Sequence, residues 1–118
     1  MNTIIVIPAR YRSSRFPGKP LIKLLNKPMI QWVAELSSRV VGKEKVYIAT
    51  EDIKIKKAVT KMGYKVLMTS KNCLTGTDRL AEVAKKIKAD IYVNVQGDEP
   101  LVKPKDIKKI INLKKNYF

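Results

Sequence analysis

At 118 residues with 45% hydrophobic content, the chain is long enough for one small domain with a buried core, too short for two, and too apolar to be disordered. Its 25 Lys and Arg against 10 Asp and Glu give a formal charge of +15, which invites a nucleic-acid reading, but the excess is lysine spread along expected helices (Lys54, Lys56, Lys57, Lys61, Lys85, Lys86, Lys88) and no basic run is interleaved with aromatics. The absence of histidine restricts any proton transfer to a carboxylate, a lysine, a tyrosine or the substrate itself, and the single Cys73 excludes an intrachain disulfide and a thiolate metal cluster.

The first element is Ile4-Ile5-Val6-Ile7, consecutive β-branched residues bounded by Pro8, the pattern of a parallel strand buried on both faces. A strand this close to the first residue leaves no room for a signal peptide, and no apolar run approaches the roughly 18 to 20 residues that span a bilayer, so the expectation is a soluble, cytoplasmic chain. Beyond Pro8 comes a basic turn in which Arg10, Arg12, Arg15 and Lys19 stand among Ser13, Ser14 and Gly18. In open α/β sheets ligands bind beyond the carboxyl ends of strands, which is where this loop lies. Gly18-Lys19 is followed by Pro20 and lacks the earlier glycine of a Walker loop, and no Gly-x-Gly-x-x-Gly occurs. What remains is a polyanion cradle in which Arg forks and a Lys point charge grip phosphate oxygens. The competing reading is a solvated basic loop in a lysine-rich chain.

Next, Met29, Trp32, Val33, Leu36 and Val40 recur at helical spacing behind Pro28. Lys45 to Thr50 reads as the second strand. Glu51 and Asp52 favour the positive end of a helix that runs to about Met62 and stops at Gly63. Tyr64 to Met68 is a short third strand. The loop Leu74-Thr75-Gly76-Thr77-Asp78-Arg79 opens a helix carrying Leu80, Val83, Ala84 and Ile87 inward, with Thr77 as its cap; Gly76 and Thr77 either admit a nucleotide or merely start the helix. Ile91 to Val95 is the fourth strand, delivering Gln96-Gly97-Asp98-Glu99-Pro100 at its carboxyl end. An acidic pair opposite a basic loop suits a triphosphate with Mg²⁺, a hard cation held by one or two carboxylates plus phosphates; Asp98 is the expected ligand, and Glu99 ranks below it because an acid at such a turn reads as a solvated helix approach. Pro104 opens a last amphipathic helix with Ile107, Ile110, Ile111 and Leu113. The strictly alternating β-α order implies right-handed crossovers onto a mostly parallel sheet with helices on both faces, whose strand order the sequence leaves open.

Pro8-Ala9-Arg10 with Ser14-Arg15-Phe16-Pro17-Gly18-Lys19-Pro20-Leu21 resembles the signature of the sugar cytidylyltransferases, in particular the branch acting on 3-deoxy-D-manno-octulosonate (Kdo). The likeness continues through Asn26-Lys27-Pro28-Met29-Ile30, Ile48-Ala49-Thr50, Thr75-Gly76-Thr77-Asp78-Arg79-Leu80-Ala81-Glu82-Val83 and Asn94-Val95-Gln96-Gly97-Asp98-Glu99-Pro100, in the family's order.

The resemblance implies a Rossmann-like nucleotidyltransferase sheet and an activity that joins CTP to Kdo with release of pyrophosphate, for lipopolysaccharide biosynthesis. It implies catalytic roles for Arg10, Lys19 and Asp98, with Asp98 holding Mg²⁺. Ala9, Arg15, Gly18, Thr75, Gly76, Thr77 and Arg79 would bind the nucleotide, Arg79 reaching ribose or phosphate, and Gln96 would face the sugar acid. Members of the family continue past the position of Phe118 with a half that supplies a further acidic ligand, most of the sugar pocket and homodimer contacts. Residues 1–118 are accordingly expected to be the CTP-binding part of a single domain, incomplete at its C-terminal end, with weak CTP binding and little activity alone. The rivals are a cytidylyltransferase for a related acid, 8-amino-Kdo or a nonulosonic acid, and a non-catalytic basic fragment that binds nucleotide or RNA.

Overall fold

The computed structural model describes residues 2–10, 19–70 and 76–95. Strand β1 (Thr3–Pro8) is buried along its whole length. The proline closes the strand, which ends at Pro8 as the sequence reading has it. Helix α1 (Met29–Val41) follows β1 after a 3-10 turn at Lys19–Leu21 and a small ribbon of β2 (Lys23–Leu24) and β3 (Lys27–Pro28). Then come β4 (Val46–Thr50), α2 (Ile53–Lys61), β5 (Lys65–Met68), α3 (Gly76–Lys86) and β6 (Ile91–Asn94). The helix expected after Pro104 lies outside the described residues.

Among the described residues the main sheet has four strands in the order β5-β4-β1-β6. Every pairing in it is parallel, with Ile5 opposite Val46 and Val93, and Tyr47 opposite Lys65. Period-2 alternation sorts the strand residues into two layers. Ile5, Ile7, Val46, Ile48, Ile91 and Val93 pack against Ile30, Val33 and Ala34 of α1 and Ile55 and Val59 of α2. Ile4, Val6 and Ala49 face the other way, onto Val83, Leu80 and Ile87 at α3. Helices therefore cover both faces, as the alternating order requires. Burying an Ile such as Ile5 or Ile7, both 0% exposed, contributes on the order of 1.5 to 3 kcal/mol, so the layers rather than helix propensity hold the sheet together.

The division of helices between faces follows from handedness. The chain steps outward from β1 to β4 to β5 through α1 and α2, then crosses back past β1 to β6 through α3. Right-handed crossovers in opposite directions must use opposite faces. The reversal of direction falls between β1 and β6, so the topological switch point is there, and in open α/β sheets that crevice at the strands' carboxyl ends receives ligands.

Local signals set the element ends. Gly42 adopts φ 89° beyond α1 and its N–H donates to Ser38 O at 2.9 Å. Asp52 caps α2, its side chain accepting from Lys54 N at 2.7 Å and Ile55 N at 3.3 Å. Helix α3 begins at Gly76, so Thr77 stands inside its first turn rather than at the cap expected for it. Pro28 likewise precedes the first helical residue of α1 and belongs to the ribbon.

The ribbon has no counterpart in the sequence reading. Its two-residue turn places Leu25 at φ 51° and Asn26 at φ 67°, the left-handed pair that a tight hairpin of this hand requires. Asn tolerates that region and Leu does not favour it, which is why Leu-Asn gives no hairpin signal. The ribbon is clamped to α1: Trp32 Nε1 donates to Leu24 O at 2.7 Å, and Lys27 Nζ lies 4.2 Å from the Trp32 ring centre and 2.7 Å from Glu35 Oε2.

Candidate functional site at the carboxyl end of the sheet

The two strands that flank the switch point, β1 and β6, end side by side. Val95 N donates to Val6 O at 3.0 Å, so the chain leaving β6 toward Gln96 and Asp98 starts beside β1. On the other flank Ala9 N donates to Ala49 O at 2.9 Å, tying the exit of β1 to β4. Ala9 is buried and Arg10 exposed. The backbone thus turns outward at Arg10 from a strand exit held on both sides.

Lys19 reaches the same end of the sheet by a different route. Its 3-10 turn is seated by the buried Pro20, packs on α1 and α2, and is closed by Ile22 N donating to Lys19 O at 3.1 Å. Met29 N then donates to Ile22 O at 2.9 Å, fixing the turn to the first residue of α1. Because α1 returns antiparallel to β1, its start lies at the strands' carboxyl end. Exposed Arg10 and half-buried Lys19 therefore both stand at the carboxyl end of the sheet.

Helix α3 also starts at this end, since it follows β5 and leads back to β6. Gly76 and Thr77 form its opening backbone. Arg79, only 1% exposed, directs its guanidinium at Glu51 and Thr69: NH1 is 2.8 Å from Glu51 Oε2 and donates to Thr69 Oγ1 at 2.6 Å. Thr69 N donates to Thr50 O at 2.9 Å, and Ser70 N donates to Glu82 Oε1 and Oε2, both at 3.0 Å. The exits of β4 and β5 and the first turn of α3 are thereby joined through polar side chains.

Of the residues singled out in the sequence, Ala9, Arg10, Lys19, Gly76, Thr77 and Arg79 share the carboxyl end of the sheet. Arg15, Gly18, Thr75, Gln96 and Asp98 lie outside the described residues, as do Cys73 and Glu99. Among the described residues no group of three or more His, Cys, Asp or Glu gathers to hold a metal, and no helix is long and apolar enough to cross a membrane.

Glu51 and Thr69 are the residues that sequence reasoning missed. Glu51 reads as a second acid at the start of α2, yet Asp52 alone caps that helix and Glu51 turns to Arg79. The available signal is the redundancy: one acid suffices for the cap, and the other directly follows a strand.

A family model described as cytidylyltransferase matches residues 4–118. The chain is 50% identical over 110 residues to the 3-deoxy-manno-octulosonate cytidylyltransferase of Escherichia coli, covering 93% of this chain and 45% of that protein. It is also 50% identical over 116 residues to the 8-amino-3,8-dideoxy-manno-octulosonate cytidylyltransferase of Shewanella sp. (strain W3-18-1), covering 96% of this chain and 47% of that one. A CMP:2-keto-3-deoxy-manno-octonic acid synthetase solved in complex with CTP superposes with a TM-score of 0.94 at 46% identity, covering 98% of this chain and 48% of the other. A cytidylyltransferase structure from Leptospira borgpetersenii gives a TM-score of 0.81 at 29% identity, covering 96% of this chain and 48% of that structure. The chain spans about half the length of the curated relatives it matches.

Proposed function

The chain belongs to the cytidylyltransferase family, and from that premise we propose that residues 1–118 supply the CTP-binding part of an enzyme that transfers a cytidylyl group from CTP to Kdo, giving CMP-Kdo and pyrophosphate. The observation that carries the reading is the adjacency of β1 and β6 at the switch point, because it sets the origin of the basic stretch beside the origin of the acidic one.

In this reading the sugar's anomeric hydroxyl attacks the α-phosphate in line while pyrophosphate leaves. Charge grows on the phosphoryl oxygens and the departing group, so the protein acts by positioning and electrostatic stabilisation. Arg10 and Lys19, assisted by Arg15, hold the phosphates. Ala9, Gly18 and the segment from Thr75 through Gly76 and Thr77 to Arg79 frame the nucleotide. Gln96 faces the sugar acid. Asp98 offers a hard oxygen donor on the stretch that leaves β6 next to the basic exit of β1, which suits Mg²⁺. When bound, that ion neutralises phosphate charge. The product feeds lipopolysaccharide assembly, a cytoplasmic activation step, and the complete enzyme is a homodimer.

An acceptor of the 8-amino type is the second reading, favoured by the equal 50% identity to relatives named for each acid. Pyrophosphate release by the protein carrying this chain, measured with CTP and Mg²⁺ against Kdo and its 8-amino analogue in competition, separates the two. Turnover with neither acid, together with RNA binding that falls steeply with salt and resists CTP, would support the basic-fragment reading instead.

A further inference from the structure

The Glu51–Arg79 pair is not explained by the nucleotide reading. Its two side chains are 17% and 1% exposed, and the pair connects a residue leaving β4 to the first turn of α3, with Thr69 at the exit of β5 as a third partner. Stability is a poor explanation, since desolvating two charges offsets much of their attraction and an apolar pair of the same volume serves as well. Anion attraction is a worse one. A carboxylate two positions beyond Ala49, whose carbonyl accepts from Ala9 N, stands near the exit of β1 and repels a triphosphate. What the pair does add is direction, because a guanidinium is a rigid planar fork.

We propose that Glu51 is a positioning residue: through Arg79 it holds the first turn of α3 and the exit of β5 against the exit of β4, so that Gly76 and Thr77 keep a fixed relation to Ala9 and Arg10. The inference rests on the CTP reading and extends it to a residue that does not touch the nucleotide. It sets the sign of a mutational effect. On Coulombic grounds alone, removing a negative charge beside a polyanion site tightens binding. A positioning role makes the same removal weaken it.

The test is a calorimetric titration of CTP with Mg²⁺ into the full chain and its variants. Glu51→Gln is expected to bind CTP about ten-fold more weakly, the order of loss a small misplacement produces, and Glu51→Asp to recover part of that loss. The near-isosteric Thr69→Val removes another acceptor of Arg79 without touching a residue assigned to the nucleotide; it is expected to match the parent in melting temperature while weakening CTP binding in the same sense. That outcome separates positioning from folding, and it stands even if Glu51→Gln fails to fold. Unchanged or tighter CTP binding by Glu51→Gln, or parental affinity in Thr69→Val, overturns the inference. Absence of CTP binding by the parent chain itself overturns the functional reading first, and is read before any variant.

Discussion

The two ends of the central sheet are made by the same strands but handle charge in opposite ways. At the amino end, Lys65 meets Glu44 at 3.3 Å with side chains 46% and 86% exposed, and Asn2 N donates to an exposed Asp90 Oδ2 at 2.7 Å. Lys43 lies 4.9 Å from the Tyr64 ring centre and Lys65 5.3 Å from that of Tyr47, ammonium groups resting on half-buried aromatics. At the carboxyl end, Arg79 and Glu51 are enclosed. Water screens the first set, so each contact contributes little. The second is held in surroundings where geometry is fixed and the loss of one partner is costly. The difference separates solvated charge pairs from an enclosed one that joins strand exits to a helix start.

The contrast can be broken in order of expected effect. Arg79→Met leaves Glu51 enclosed without its cation and is expected to destabilise the chain by about 3 to 5 kcal/mol in urea unfolding; a loss below about 1 kcal/mol would put the pair on a level with the exposed contacts. Lys19→Ala or Asp98→Asn, in a complete active enzyme, is expected to lower turnover by roughly 10²-fold or more, as loss of an oxyanion donor does; near-parental rates for both would remove their proposed roles. Asp52→Ala removes the cap of α2 and is expected to cost about 1 kcal/mol, read as a lowered urea midpoint at an unchanged slope. Glu44→Ala, at the other end, is expected to shift stability by less than about 1 kcal/mol and to lose even that in high salt.

The sheet was legible because its strands are unambiguous. Ile4 to Ile7 is a continuous and Ile91 to Val95 a near-continuous run of apolar, mainly β-branched residues that no helix stripe imitates, and the alternation of elements dictates parallel pairing. Strand order was not legible, since nothing local in β6 marks it as the neighbour of β1 rather than of β5; that is decided by which face each helix can cover. The ribbon escaped for a local reason. Leu25-Asn26 lacks the glycine that advertises a left-handed turn, and the turn is held by Trp32 and Lys27 instead of by intrinsic preference.

The candidate site divides similarly. Arg10 and Lys19 were visible because basic residues beyond a strand end are chemically conspicuous. Glu51 was not, because an acid before a helix has an ordinary local explanation, and only the third dimension brings Arg79, 28 positions later, against it. Arg79 was read for its charge, and in the structure its guanidinium has Glu51 and Thr69 among its partners.

The most direct measurement is a titration of the isotope-labelled chain with CTP and Mg²⁺ followed through backbone amide chemical shifts. The account predicts saturable changes at Ala9, Arg10, Lys19, Glu51, Gly76 and Val95, with Asn2, Glu44, Lys65 and Asp90 left in place. Shifts confined to the amino end, or spread evenly over the lysine-rich helices, would contradict a nucleotide site at the carboxyl end of β1 and β6.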